Sequence, residues 1–352
     1  MTPASSQQPP SRGLFVYFIH HRCRLRAHCH LIYRSNSPSC LTNSMVQWQS
    51  FLCFGIVAGS VAASLAAIVG VSRRAAGSSS WLAGGDGPPH EGAPWSSCWA
   101  RVRPAWLLAF RATAVVALAA VLVWDLRTYD ASIMMYYTEW TLLLEIAYFA
   151  VATLFSAYGC LMHSGNRAAG ETESDIVRLL SGDCADEPGA GDVGYGPQRL
   201  ECFMQIIYQV SVGAVVLTDV VFWCLIIPFM SSAHFSLNAV MGCMHSFNLA
   251  FLLAETALNT LAFPWFRIAY FILWTCLYVI VQWIAHACGL TWWPYPFLSP
   301  ALSWAPVWYL ALALLHFPCY LVYWLIARAK YDSDVQAHVL VVAMDEPCVR
   351  NV

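Results

Sequence analysis

The chain reads as an all-α, polytopic membrane protein built on a six-helix transmembrane core, and three observations carry that reading. First, 59% of its 352 residues are hydrophobic and only 11% are charged, whereas a soluble domain carries about 25% charged residues. Second, the sequence contains several apolar runs of the roughly 20 residues that a helix needs to cross hydrocarbon. Third, the cationic residues between those runs fall on one side of the membrane if the runs alternate in direction. Sixteen Trp and sixteen Tyr suit a protein with two membrane interfaces, where amphipathic rings settle. A formal net charge of −2 leaves no basic face for nucleic acid.

Residues 1–50 form a basic N-terminal arm. The first 85 residues contain no Asp or Glu, a pattern also found in organellar transit peptides. Translation could start at Met1 or at Met45. Within the arm, His20, His21, Cys23, His28, Cys29 and His30 are residue types that zinc takes. The interleaved Arg22, Arg24 and Arg26 oppose a cation, and no metal is expected. Phe51 to Val71 is uncharged but rich in Ala, Gly and Ser, and is a candidate for an extra membrane helix. Residues 72–104 are Gly-, Pro- and Ser-rich linker.

The core spans are expected at 105–124, 133–162, 203–230, 238–262, 265–286 and 303–326. Residues 163–202, rich in Gly, Glu, Asp and Ser, read as a cytosolic linker. The tail 331–352 reads as a short strand or unstructured chain. Fourteen Cys are scattered with no Cys-x-x-Cys pair, and many lie inside apolar runs as small buried side chains.

Arg73, Arg74, Arg101 and Arg103 precede the 105–124 span. Arg167, Arg178 and Arg199 occupy the next loop on that side, Arg267 the one after, and Arg328 and Lys330 follow the last span. Only Arg127 lies in a loop on the opposite side. The positive-inside rule makes the crowded side, and the C-terminus with it, cytosolic.

Polar groups within such spans need partners or a task. Projected at 100° per residue, Asn238, His245, Asn248, Glu255 and Asn259 fall within roughly a 100° arc of the fourth core span. Thr138, Thr141 and Glu145 fall within about 60° on the second. Asp219 lies in the third span, and His286 and His316 are read as interfacial. A Thr hydroxyl with a His base suffices for acyl transfer, and a carboxylate such as Asp219 often orients the base. Thr138 lies about 8 Å in from residue 133 and His245 about 10 Å in from residue 238, so their depths match. Asn238, Ser246 or Asn248 would donate to an oxyanion. Thr141 competes with Thr138 as nucleophile, although a Thr in a membrane helix commonly bonds back to its own backbone.

The stretch Asn238 to Glu255, with Met244-His245-Ser246 and Phe251-Leu252-Leu253-Ala254-Glu255, resembles the androgen-induced protein (FAR-17a/AIG-like) family. Its members carry an Asn-His-x-x-His-Thr run followed by an apolar stretch ending in Glu. Their spacing from the second His to that Glu equals that from His245 to Glu255. Thr138-Glu139-Trp140-Thr141 and the run to Tyr148-Phe149 resemble the family's second helix, with Thr138 on its nucleophilic Thr. Asp219 with Phe222-Trp223, and Trp293-Pro294-Tyr295-Pro296-Phe297, are further landmarks. Gly242 stands where the family has its first His, and Ser246 where it has Thr. The pattern is closest to a plant-type branch, and it is also similar to the Rolling stone family, in which hydrolysis is not expected.

The resemblance implies an intramembrane hydrolase of lipid esters, with Thr138 as nucleophile and His245 as base. Thr141, Asp219, Asn238, Ser246, Asn248 and Glu255 are the candidate supports. Its partners would be a membrane lipid and a fatty-acyl ester substrate, with no cofactor, in the endoplasmic reticulum or plasma membrane. Two other readings stand beside it. One is a non-enzymatic membrane protein for adhesion, signalling or scaffolding, whose polar stripe serves helix packing. The other is a transporter with His245, Glu255 and Asp219 as a proton relay.

Overall fold

The computed structural model describes residues 40–76, 97, 103–168, 195–230 and 239–345. Among these residues the secondary structure is helical, with no strand. We label the long helices α1 (Cys40–Ala76), α2 (Pro104–Tyr129), α3 (Tyr137–Ala168), α4 (Tyr195–Val221), α5 (Ala239–Leu258), α6 (Ile268–Ala287) and α7 (Ala305–Asp345).

Among the described residues six helices are long and apolar enough to cross a membrane: Trp48–Arg74, Pro104–Tyr129, Tyr137–Leu161, Leu200–Ile226, Trp265–Ala287 and Ala305–Asp332. The weak 51–71 candidate is therefore a full-length apolar helix. Helix α5 is not one of the six, because His245, Asn248 and Glu255 dilute its apolar run. Membrane embedding is also written on the outward faces. Trp106 (71% exposed), Leu154 (70%) and Val116 (69%) would be anomalous in water but suit a lipid-facing surface.

Several boundaries differ from the sequence reading. The second core span begins at Tyr137, not 133, because a 3-10 turn, Ala131–Met135, completes the reversal from α2. Asp130, at φ 65°, starts that reversal. With ψ at 178° this is a positive-φ extended conformation that residues with a Cβ seldom adopt. Trp140 Nε1 then donates to Met134 O at 2.9 Å and fastens the first turn of α3. Helix also persists where strand or irregular chain was expected, since α7 continues through the tail to Asp345. No Pro or Gly follows Pro318 before Pro347, so nothing stops propagation. His316, read as interfacial, is buried inside α7 against Phe271, with ring centroids 4.5 Å apart.

The chain divides into two compact units, residues 1–61 with 274–312 and residues 62–273 with 313–352. In the smaller unit, Phe54 meets Trp283 edge-on at 4.4 Å. Trp283 Nε1 donates to the Tyr309 hydroxyl at 3.0 Å, and that hydroxyl donates to Leu298 O at 2.7 Å. His286 stacks on Trp293 at 3.5 Å.

In the larger unit α3 packs on α2 and α4, and α5 packs on α2 and α4. Its core includes Leu118, Leu142, Tyr148, Phe149, Met204, Tyr208, Val215, Leu252 and Tyr323. Gly213 in α4 allows Phe271 to approach, because a Cβ there would sit 2.7 Å from Phe271 Cδ1. Arg267, expected as a loop charge, is buried and donates to Gln205 Oε1 at 2.9 Å.

Candidate functional site

The polar stripes of α3, α4 and α5 meet inside the larger unit. On α3, Thr138, Thr141, Glu145 and Tyr148 fall within about 80°. The same period puts Tyr208, Ser211, Val215 and Asp219 on one face of α4, and His245, Asn248, Leu252 and Glu255 on one face of α5. Contacts show that these faces look at one another. The Tyr148 hydroxyl donates to Glu255 Oε1 at 2.8 Å, and the Tyr148 and Tyr208 rings lie 5.2 Å apart. Farther along, Asp219 Oδ1 bonds His245 Nδ1 at 3.0 Å.

Those contacts set the register. Tyr148, Tyr208 and Glu255 share one level. Ten residues towards the start of α3 is Thr138, ten towards the start of α5 is His245, and eleven towards the end of α4 is Asp219. At 1.5 Å per residue Thr138 and His245 lie about 15 Å, and Asp219 about 16.5 Å, from the tyrosine level. Thr138 therefore shares its depth with the Asp219–His245 pair.

The tyrosine level is held by an ion pair that sequence reading missed. Arg111, fully buried in α2, meets Glu255 Oε1 through Nη2 at 2.5 Å and through Nε at 3.1 Å. Its Nη1 donates to Ser156 Oγ at 2.7 Å and to Ala152 O at 3.2 Å. The signal was visible, since an Arg in the middle of an apolar span must find a carboxylate or carbonyls. Glu255 thus serves Arg111 rather than His245. Beside it, Tyr208 bonds Thr256 at 2.6 Å, Thr256 bonds the Tyr323 hydroxyl, and that hydroxyl donates to Leu252 O at 2.9 Å. Lys330 Nζ donates to Asn259 O just beyond α5.

The other level is built differently. The His245 ring stacks on Phe222 at 3.7 Å, with 11° between the planes. Phe222 opens a π-helical turn, Phe222–Ile226, that interrupts α4 directly after Asp219. Such turns are rare and concentrate at functional sites. With Nδ1 engaged by Asp219, Nε2 is the ring nitrogen of His245 left for other chemistry.

The remaining predicted residues fall as follows. Thr138 is half-buried in the first turn of α3. Thr141 is buried and donates back to Tyr137 O at 2.9 Å, so its hydroxyl proton is already committed. Asn248 is buried on the His245 face, its Oδ1 without a partner. Ser246 is exposed and lies off that face. Asn238 and the His20–His30 cluster lie outside the described residues.

No family model, no curated protein and no solved structure matches this chain.

Proposed function

We propose that the protein is an intramembrane hydrolase of lipid esters of the androgen-induced type, with Thr138 as nucleophile, His245 as general base and Asp219 as the residue that orients the base. The observation that supports it best is the Asp219–His245 pair, bonded through Nδ1, at the depth of Thr138. In this arrangement Asp219 accepts the Nδ1 proton and so directs the Nε2 lone pair outward. His245 Nε2 removes the Thr138 hydroxyl proton as Oγ attacks the ester carbonyl carbon. The tetrahedral intermediate expels the alcohol, which takes the proton back from His245. Water then attacks the acyl-threonine, again giving a proton to His245, which returns it to Thr138 Oγ as the fatty acid leaves. The Asn248 amide, one turn from His245, is the candidate donor to the oxyanion.

The substrate class on this reading is a fatty-acyl ester drawn from the bilayer. The cationic loops favour a cytosolic C-terminus, in the endoplasmic reticulum or plasma membrane.

The test is labelling of the full-length, membrane-embedded protein with a fluorophosphonate probe, comparing wild type with Thr138→Ala, Thr141→Ala and His245→Ala. Labelling that survives in Thr141→Ala and is lost in the other two is the expected result. A folded wild type that never labels sinks the reading.

A second reading has its own support. The Arg111–Glu255–Tyr148–Ser156 group has its hydrogen bonds made, as expected of a non-enzymatic protein whose polar stripe packs helices. On that reading Thr138→Ala changes stability and no turnover.

A further inference from the structure

Between the two levels lies a stretch whose oxygens lack hydrogen-bond partners. Both carboxyl oxygens of Glu145, Ser211 Oγ, Asn248 Oδ1 and Asp219 Oδ2 are buried and unpartnered. Glu145 and Ser211 are completely buried, and Asn248 is 4% exposed. They lie on the three facing stripes at successive depths. Counted from the tyrosine level, Glu145 and Ser211 stand at about 4.5 Å, Asn248 at about 10.5 Å and the Asp219–His245 pair at about 15–16.5 Å. The steps along the column are about 4.5–6 Å, the separation that one water bridges between two polar groups.

All five atoms can accept a hydrogen bond, so the missing component is a donor, a bridging water or a proton carried by the carboxyl itself. The charges point the same way. Arg111 is matched by Glu255, and Asp219 is hydrogen-bonded to His245 Nδ1. The carboxyls of Asp125 of α2 and Glu139 of α3 lie within reach of one another. From the elements packed around it Glu145 thus faces Arg111 and Asp125 of α2, Glu139 and Tyr148 of its own helix, Tyr208 and Asp219 of α4, and His245 and Glu255 of α5. No cation in that set is left for it. A buried carboxyl in that position takes up a proton rather than remain an unpaired anion.

We propose that Glu145 is an intramembrane proton-binding site that exchanges its proton with the Asp219–His245 pair through waters held by Ser211 and Asn248, and that the Arg111–Glu255 ion pair closes this path on its far side. A fixed guanidinium repels a hydrated proton, so the path has one open end, at His245. Each exchange moves one proton, from the Glu145 carboxyl to water and on to His245, and returns it by the reverse route. This site does not depend on ester hydrolysis, because it is equally available to a protein without turnover.

The test uses the full chain in lipid nanodiscs and infrared spectroscopy in H₂O and then D₂O. Wild type should show a carboxylic-acid carbonyl band that is lost in Glu145→Gln and shifts as deuterium enters. Ser211→Ala and Asn248→Leu should keep the band but slow its exchange by about tenfold or more, the equivalent of one lost relay step. Circular dichroism checks that each variant is folded. Should Glu145→Gln misfold, the band and its exchange rate in the two bridging variants carry the test. A wild type without a Glu145-dependent band, a band that never exchanges, or bridging variants that exchange as fast as wild type would each overturn the proposal.

Discussion

The two ends of the polar column in the larger unit share the same three helices and obey opposite rules. At the tyrosine level Arg111, Glu255, Tyr148 and Ser156 bond one another, and Tyr208, Thr256 and Tyr323 form a second closed set. At the histidine level one pair is made, and oxygens of Asp219 and, deeper in the column, of Asn248, Ser211 and Glu145 stay unpartnered. Buried polar groups are ordinarily satisfied. The satisfied end therefore behaves as a fastening, and the unsatisfied end as a place where something else binds or reacts. The π-helical turn at Phe222–Ile226 marks the unsatisfied end as well. Polar residues in a membrane helix are thus not one class. Their partners separate holding from acting.

The sharpest way to break that contrast is at the histidine level. Thr138→Ala and His245→Ala should abolish fluorophosphonate labelling, and Asp219→Asn should slow it by roughly 10²- to 10⁴-fold through loss of the correct tautomer. Thermal unfolding of all three should stay near wild type, and a collapse of folding instead would make this end a fastening too.

The next largest effect is expected at the opposite end. Removing one partner of the buried ion pair, as in Glu255→Ala or Arg111→Met, leaves an uncompensated charge and should cost about 3–5 kcal/mol of stability. The double variant Arg111→Met with Glu255→Leu should recover most of that loss, as read by unfolding in detergent. If each single variant is as stable as wild type, the ion pair holds nothing.

A smaller effect sharpens the same end. Tyr323→Phe strips one hydroxyl from the Tyr208–Thr256–Tyr323 set and should cost about 1–3 kcal/mol, the range for a buried group left unmatched. Labelling should not change. The smallest effect belongs to Ser246, which is exposed and off the column. Ser246→Ala should label at the wild-type rate, and a lost signal there would move the oxyanion donor to that side chain.

Much of the column was legible before any coordinates. The helical period alone puts His245, Asn248 and Glu255 on one stripe and Thr138, Thr141 and Glu145 on another, and every one of them is buried or half-buried. The depth counted from the expected span ends does not hold, because α3 starts at Tyr137 and Thr138 stands one residue inside it; the match with His245 rests instead on their ten-residue offsets from the bonded Tyr148 and Glu255. Less was legible about pairing. Glu255 stands on the His245 stripe, yet ten residues of helix separate them by about 15 Å, and its partner is Arg111, 144 positions away in the chain. The Arg111 signal was present as a lone cation in an apolar run. The extent of α7 was also readable, because the next helix breaker is Pro347, although the β-branched residues of the tail favour strand.

The sequence by itself determined that the chain is helical, where the apolar helices run, and which side of each helix is polar, because composition and the 3.6-residue period act locally. Only the tertiary structure decided which polar groups meet: Arg111 with Glu255, Asp219 with His245, and Glu145 with no partner among the described residues. Pairing depends on how three or four helices are rotated and staggered against one another. That rotation is set by the packing of Leu118, Phe149, Tyr208 and Leu252 together, a collective property that no single stretch of sequence contains.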